Sequence, residues 1–480
     1  MQYDHGGSSP TGWLLASSDV SRPGRSGLGC STRPTAPVAG INFAQSLDAA
    51  FLLGSDVRIR ACVRHAYNDS RSSHGPRAPT HAAEEDPSVT AIANNMTNDE
   101  VTGDEEEVKD PVYTGPGTVA GRLMRSYWQP VKKSRDVPNG TAHPLTVMGE
   151  QFTLYRGRDG RAAVLAPRCA HRLTVLSVGT VEADGLRCMF HGWKFGADGR
   201  CLEAPGESES LVQKASVRSY PTREAYGLIF VFLGEGTEPP FPDLAGFSRE
   251  HGHDFETAAV IEPLEYTRRC NFFSNVENGV DHAHVPYTHR LSSDPNRTKD
   301  GFSPAAAHQT PITVRRGRSL IHTREIDENS PYRATFLMPN ALHLVVAGRN
   351  GLLEQFAWRV PIDDEVHMSF GVMGHFLTPE GVVAHKRRQE EVAARREPLI
   401  SAIDAAELII AGKAPITDFL DHPDLVNLED HVAQVGMGRL ADRENERLGE
   451  SDKGVLQVRR MWRRHLDAFD RGEPLDTAWA

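Results

Sequence analysis

Two short cysteine–histidine pairs constrain this chain more than any other feature. Cys169-Ala170-His171 is followed, after 16 intervening residues, by Cys188-Met189-Phe190-His191. Each pair sits in a predicted loop between strand-like segments. Two thiolates and two imidazoles can make a closed tetrahedral zinc site, or a [2Fe–2S] centre in which the cysteines hold one iron and the histidines the other. Structural zinc sites favour at least two residues between the ligands of a pair, and the first pair has one. Gly192-Trp193 after the second histidine and Pro205-Gly206 a loop later can cover a cluster and offer backbone donors to its sulfurs. The flanks therefore favour the iron–sulfur centre.

The rest of the chain sets the class of molecule. Its 480 residues suffice for more than one core, and 39% hydrophobic with 24% charged residues is a soluble, globular balance. Lys+Arg of 53 against Asp+Glu of 64 leaves a net charge of −11, so no polyanion-binding surface and no nucleic-acid partner are expected. Six cysteines are too few for a disulfide framework and fit reduced thiols or ligands in the cytoplasm. No apolar run is long enough to span a membrane, and the oily stretch from Gly227 to Leu233 reads as a buried strand. The first residues lack a basic segment followed by an apolar one, so no secretory signal is expected.

Residues 1–110 read as an extension. Met1 to Asn95 is rich in Ser, Gly, Pro and Arg without period, the composition of a disordered segment, and Met96 to Asp110 is an acidic leader of seven acids and one lysine. Residues 111–240 form a small β domain. It opens with a turn at Gly115-Pro116-Gly117-Thr118 and a helix through Val119, Leu123, Met124 and Tyr127, then short strands, and is closed by Pro239-Pro240-Phe241-Pro242. Residues 241–480 form an α+β domain. Strands are expected around Ala258–Cys270 and from Ile312 to Phe376, and helices over Asn271–His282, Ala384–Ile410 and Val455–Phe469.

The second domain carries its own constellation. Glu277, Asp281 and His284 lie four and three residues apart, so a helix would put them on one face, and His289 follows a break at Pro286. Two histidines and a distant carboxylate make the facial triad of non-haem Fe(II) oxygenases, which leaves positions open for O2. The alternative, a surface helix end with ordinary histidines, fits poorly with three histidines in eight residues beside two acids. His282 points off the shared face. Cys201 and Cys270 read as buried apolar residues, and Cys30 and Cys62 fall in the extension. His308, His322, His343, His367 and His375 read as pocket or core residues. The strands from Leu320 to Phe376 should line a substrate pocket, with Phe336, Met338, Leu342 and Phe356 as apolar and Asn340 and His343 as polar candidates.

Cys169-Ala170-His171-Arg172 and Cys188-Met189-Phe190-His191-Gly192-Trp193 resemble the signature of Rieske-type domains. The usual form has Pro at Ala170 and often Tyr at Phe190. Neither departure removes a ligand, although Phe190 lacks a hydroxyl that would raise the potential. Glu277-Asn278, Asp281, His284 and His289 resemble the mononuclear-iron motif that follows such a domain in ring-hydroxylating and O-demethylating oxygenases. Leu428-Glu429-Asp430-His431 and the stretch from Ala441 to Asp452 resemble the phthalate-dioxygenase branch, built from one type of subunit.

The resemblance runs from about Val112 to the end and implies a Rieske [2Fe–2S] domain followed by an antiparallel-sheet, helix-grip catalytic domain. It implies a cluster on Cys169, His171, Cys188 and His191, and mononuclear Fe(II) on His284, His289 and Asp430, with Asp418 and Asp421 as alternative carboxylates. Electrons would come from NAD(P)H through a separate flavin- or ferredoxin-based reductase, and O2 would be used to hydroxylate or O-demethylate an aromatic substrate. A head-to-tail homotrimer, or a stacked hexamer, would let Asp281 bridge His284 to His191 of the neighbouring subunit. The competing reading is an electron-transfer Rieske protein with a non-catalytic second domain.

Overall fold

Thr118 caps α1 (Val119–Arg125), its Oγ1 accepting the Gly121 amide. Val119, Leu123 and Met124 of this helix are buried, at the spacing the sequence predicts. The computed structural model describes residues 109–293, 312–315, 320–323, 333–348, 351–394 and 400–475, all within one unit, Thr102–Ala480. The extension with Cys30, Cys62 and Met96, most of the acidic leader, His308 and the side chain of His322 lie outside the described residues.

After β1 (Gln129–Lys133), turn chemistry sets the next strands. Val147 pairs with Glu150 across β2 (Thr141–Val147) and β3 (Glu150–Arg156), so Met148-Gly149 is a two-residue loop with φ of 51° and 75°. Positive φ at both positions matches the twist of the flanking strands. The loop is tied down by Arg125, whose Nη2 donates to the Met148 carbonyl at 2.9 Å. β4 (Ala162–Leu165) continues this sheet. A second sheet takes very short strands, β5 (Thr180–Val181), β6 (Leu186–Arg187), β7 (Lys194–Phe195) and β8 (Cys201–Glu203), in that order. The helix α2 (Glu209–Lys214) leads to β9 (Ser219–Tyr220), which completes the order β2-β3-β4-β9. The two sheets enclose a small core that contains Cys169, Cys188, Trp193 and Phe195.

β10 (Thr222–Ala225) and β11 (Leu228–Val231) join β1 in a third sheet, ordered β1-β11-β10. All four residues of β11 are buried, as expected for the oily stretch. This sheet packs with the following residues, where Phe230 meets Trp358 edge-on at 5.4 Å between centroids.

After α3 (Leu244–Glu250) and β12 (Val260–Arg268), the helix predicted over Asn271–His282 is shorter than expected. α4 (Phe272–Asn278) is capped by Asn271 and ends at Gly279, and α5 (Val285–Thr288) and α6 (Arg290–Ser293) follow as single turns. The main sheet is then built from β13 (Ile312–Arg315), β14 (Leu320–Thr323), β15 (Arg333–Leu337), β16 (Ala341–Gly348), β17 (Gly351–Pro361) and β18 (His367–Leu377). Its antiparallel order is β12-β18-β17-β16-β15-β14-β13. The helical stretch expected over Ala384–Ile410 is two helices, α7 (Pro379–Ala393) and α8 (Ala402–Ile410). The second starts afresh because Ser401 accepts the Asp404 amide and caps it. α9 (Leu425–Gly436) and the amphipathic α10 (Lys453–Asp470) close the chain. Trp462 of α10 packs on Phe272 and Phe273 of α4, and Gly454 lies where an added Cβ would meet the Val280 carbonyl.

Residues paired across antiparallel strands share a face. On one face of the main sheet, His343 pairs with Phe356, Phe356 with Val372 and Trp358 with Phe370. On the other, Arg268 pairs with His367, Arg359 with Ser369 and Leu342 with Ala357. That second face meets α4 and α9, because Asn275 donates to Ser369 and Arg268 to Asn427.

Candidate metal centres

The first ligand set occupies two loops of the same backbone shape. In each, the cysteine amide donates to the residue five along, Cys169 to Thr174 and Cys188 to Trp193. In each, the cysteine carbonyl accepts from the residue four along, Leu173 and Gly192. The fourth residue is left-handed in both, at φ 59° for Leu173 and 75° for Gly192. One loop thus uses glycine where the other forces a leucine into a conformation that costs about 1–2 kcal/mol.

The loops bring the histidines together, with the His171 and His191 rings 4.4 Å apart and His171 stacked on Trp193 at 4.7 Å. The cysteines are buried and His191 is exposed, rimmed by Leu173, Met189 and Phe190 on the surface. Burial pushes the Cys169 thiol up, with Cys188 beside it adding to the effect, so a metal must displace its proton. The four donors are not among the described groups in which three converge within 4.8 Å, unlike a closed tetrahedral set. His171 Nδ1 is buried without a hydrogen-bond partner. A buried thiol pair, a separate imidazole pair and an orphaned ring nitrogen fit a two-iron cluster held from both ends.

The second set is assembled from separate elements. His284 caps the start of α5 and His289 its end, so one helical turn holds their rings 5.4 Å apart at 71°. Asp430 comes from α9, with Oδ1 at 3.4 Å from His289 Nε2 and 3.9 Å from His284 Nε2. The three donors lie within 4.8 Å of one another, and Asp418 and Asp421 are not part of that group. Two imidazoles and one carboxylate from one side are the donor set of a non-haem iron with open positions.

Although burial opposes it, the Asp430 carboxyl is held down to about 2 by His289, Arg268 and His284. Arg268 and Arg359 are buried on the facing sheet, each with guanidinium nitrogens that no hydrogen bond satisfies. In the absence of metal, burial lowers the His289 pKa, but Asp430 and Glu429 outweigh it and raise it to about 9.

Glu277 does not share a face with Asp281 and His284, because α4 ends before them. Its carboxylate turns to α10, accepting from Arg459 Nε at 2.6 Å. Asp281 sits behind His284, its Oδ2 3.6 Å from His284 Nδ1 and its Oδ1 accepting the Ala283 amide. His282 is buried outside the donor group. Sequence reasoning assigned no role to three residues that hold the site. Glu429 Oε2 accepts from Ser292 Oγ at 2.6 Å and lies 3.2 Å from His289 Nδ1, which leaves Nε2 for a metal. Asn278 Nδ2 donates to Asp430 Oδ1 at 3.3 Å. Asn275 fastens α4 to Ser369. Both Asn278 and Glu429 lay inside the quoted motifs, adjacent to residues already singled out.

The pocket expected of the sheet is corrected by register. His343 and Phe356 lie on the face opposite the donors, packed on Phe247, and His343 Nε2 is 2.7 Å from buried Glu354. Asn340 is engaged by Gln129 and the Arg359 carbonyl. Leu342, and Phe336 opposite it, remain on the donor side, where Leu342 touches Gly279.

Comparison with known proteins gives the family and the fold. The Rieske [2Fe-2S] domain family matches residues 127–221. The chain is 32% identical over 372 residues to the 5,5'-dehydrodivanillate O-demethylase oxygenase subunit of Sphingobium sp. (strain NBRC 103272 / SYK-6), covering 75% of this chain and 79% of that one. It is 29% identical to the phthalate 4,5-dioxygenase oxygenase subunit of Pseudomonas putida, covering 74% and 84%. Among solved structures, the QL mutant of NdmA from Pseudomonas putida CBB5 with caffeine superposes with a TM-score of 0.53 at 20% identity, over 73% of this chain and 93% of that chain. The last likeness is one of fold.

Proposed function

The chain belongs to the Rieske non-haem iron oxygenases, as an oxygenase subunit of a multicomponent oxidoreductase, and from that premise we propose a specific division of labour among its residues. Cys169, His171, Cys188 and His191 hold the [2Fe–2S] cluster, and His284, His289 and Asp430 hold mononuclear Fe(II). The substrate is an aromatic compound, in particular an aromatic acid, which is hydroxylated or O-demethylated with O2. Electrons come from NAD(P)H through a separate reductase. The observation that carries the reading is the convergence of His284, His289 and Asp430 within 4.8 Å, from elements far apart in sequence.

When bound, the iron supplies redox and Lewis-acid chemistry toward O2. The protein's own groups prepare the place for it. Glu429 orients His289, Asn278 steadies Asp430, and Arg268 and Arg359 favour the carboxylate form of Asp430 from the facing sheet. Asp281 orients His284 from behind and is in part exposed, so it can also face a neighbouring subunit. The exposed His191 edge with its apolar rim is the surface from which the cluster exchanges electrons. A homotrimer, or a stacked pair of them, would bring that surface to the neighbour's Asp281.

Metal analysis of anaerobically reconstituted protein, followed by O2 uptake and product analysis on a substrate panel with a generic reductase, tests this reading. Three irons per chain and an oxygenated or demethylated aromatic product are expected. Two irons only would overturn the mononuclear assignment, and turnover confined to aliphatic alcohols would overturn the substrate class.

A further inference from the structure

Among the described residues, one more group of donors converges, made of residues that belong to neither site above. Glu262 of β12, His375 of β18 and His385 of α7 place one ligand atom each within 4.8 Å of one another. His385 Nε2 is 3.1 Å from Glu262 Oε1, and the two imidazole rings are 4.6 Å apart. Sequence reading put His375 in the core or pocket. Its Nε2 is buried with no hydrogen-bond partner, and the nearest Glu262 oxygen is 3.5 Å away. Gln389, one turn beyond His385, donates its amide to Glu262, and turning that amide over would offer an oxygen to the same point. Burial and the neighbouring His385 lower the His375 pKa, which keeps its imidazole in the ligating form.

We propose that Glu262, His375 and His385 bind a second divalent cation, of the class represented by Zn2+, and that this ion clasps α7 to the edge of the main sheet. The donor set suits it, because imidazoles with a carboxylate and solvent or amide oxygen form an ordinary four-coordinate zinc environment. The helix needs such a clasp. Of the 15 residues of α7 only Gly381 is buried and Val383 is exposed, so apolar burial does little to hold it. The site is also distinct from the iron site. Ser369, which faces α4, lies six residues along β18 from His375, about 20 Å at the rise of a strand.

Zinc titration of the full-length protein tests the proposal, with the cluster loaded and the mononuclear site disabled by His284→Ala and His289→Ala. One Zn2+ per chain should bind saturably, and zinc should raise the Tm. His385→Ala, on a partly exposed helix position, should weaken binding by at least about 100-fold and remove the Tm rise, while a zinc-free Tm close to the parent's reports an intact fold. Glu262→Gln should behave alike. Absence of saturable binding in the parent would overturn the clasp, and so would equal affinity and stoichiometry in His385→Ala or Glu262→Gln.

Discussion

The two metal-binding regions of this chain solve the same problem in opposite ways. The cluster site repeats one local loop twice, with each loop supplying a cysteine and a histidine from within four residues. The proposed mononuclear site takes two histidines from the ends of one helical turn and a carboxylate from α9, which follows the main sheet in the chain. The cluster loops have their own small core, whereas α4 belongs to the large core shared by α1, α10 and the sheet. Local assembly makes the first site legible. Long-range assembly makes the second dependent on surrounding groups such as Glu429, Asn278 and Arg268.

The sharpest way to break this contrast is to remove one ligand from each region. Cys188→Ser is expected to abolish the red-brown absorption and all turnover yet leave one iron per chain in the second domain; loss of all three irons together would show that the sites are not independent. Asp430→Ala should do the reverse, keeping the cluster spectrum and losing the third iron with turnover down by at least about 100-fold. Asp281→Asn comes next. It should leave all metals in place and nearly abolish turnover, because it removes the charge behind His284; full activity in this variant would take Asp281 out of the electron path.

Smaller effects should separate the regions further. Glu429→Gln leaves the ligands intact but loosens His289, and a loss of about 10–100-fold in iron affinity is expected from equilibrium dialysis. A variant that retains parental affinity would show that Ser292 and packing alone orient the ring. Leu173→Gly is the mildest change. It relieves the left-handed strain at an exposed side chain but adds freedom to the unfolded chain, so a stability change of less than about 1 kcal/mol is expected from thermal unfolding. A large destabilisation would mean that Leu173 packs on a partner.

The proposed cluster ligands stand out in the sequence because a metal imposes spacing on neighbours in sequence, and the strands around them follow turn signals such as Asp159-Gly160. His284 and His289 were readable for the same reason. Spacing alone could not choose Asp430 over Asp418 or Asp421, and only resemblance pointed to it. The helix expected through Asp281 stops at Gly279, a break that helical periodicity does not reveal. The pocket residues failed on register, since a one-residue step along a strand decides which face a side chain takes. His343 and Phe356 carry the right chemistry on the wrong side of the sheet.

By itself, the sequence determined the α+β architecture and marked out the residues proposed as cluster ligands and the proposed histidine pair of the second site, because these follow from spacing and alternation along a single segment. Only the tertiary structure decided which carboxylate meets the histidines, which groups hold and charge them, which sheet face they look upon, and that Glu262, His375 and His385 meet at all. Those are contacts between segments distant in the chain, fixed by packing and strand register, and no local pattern encodes them.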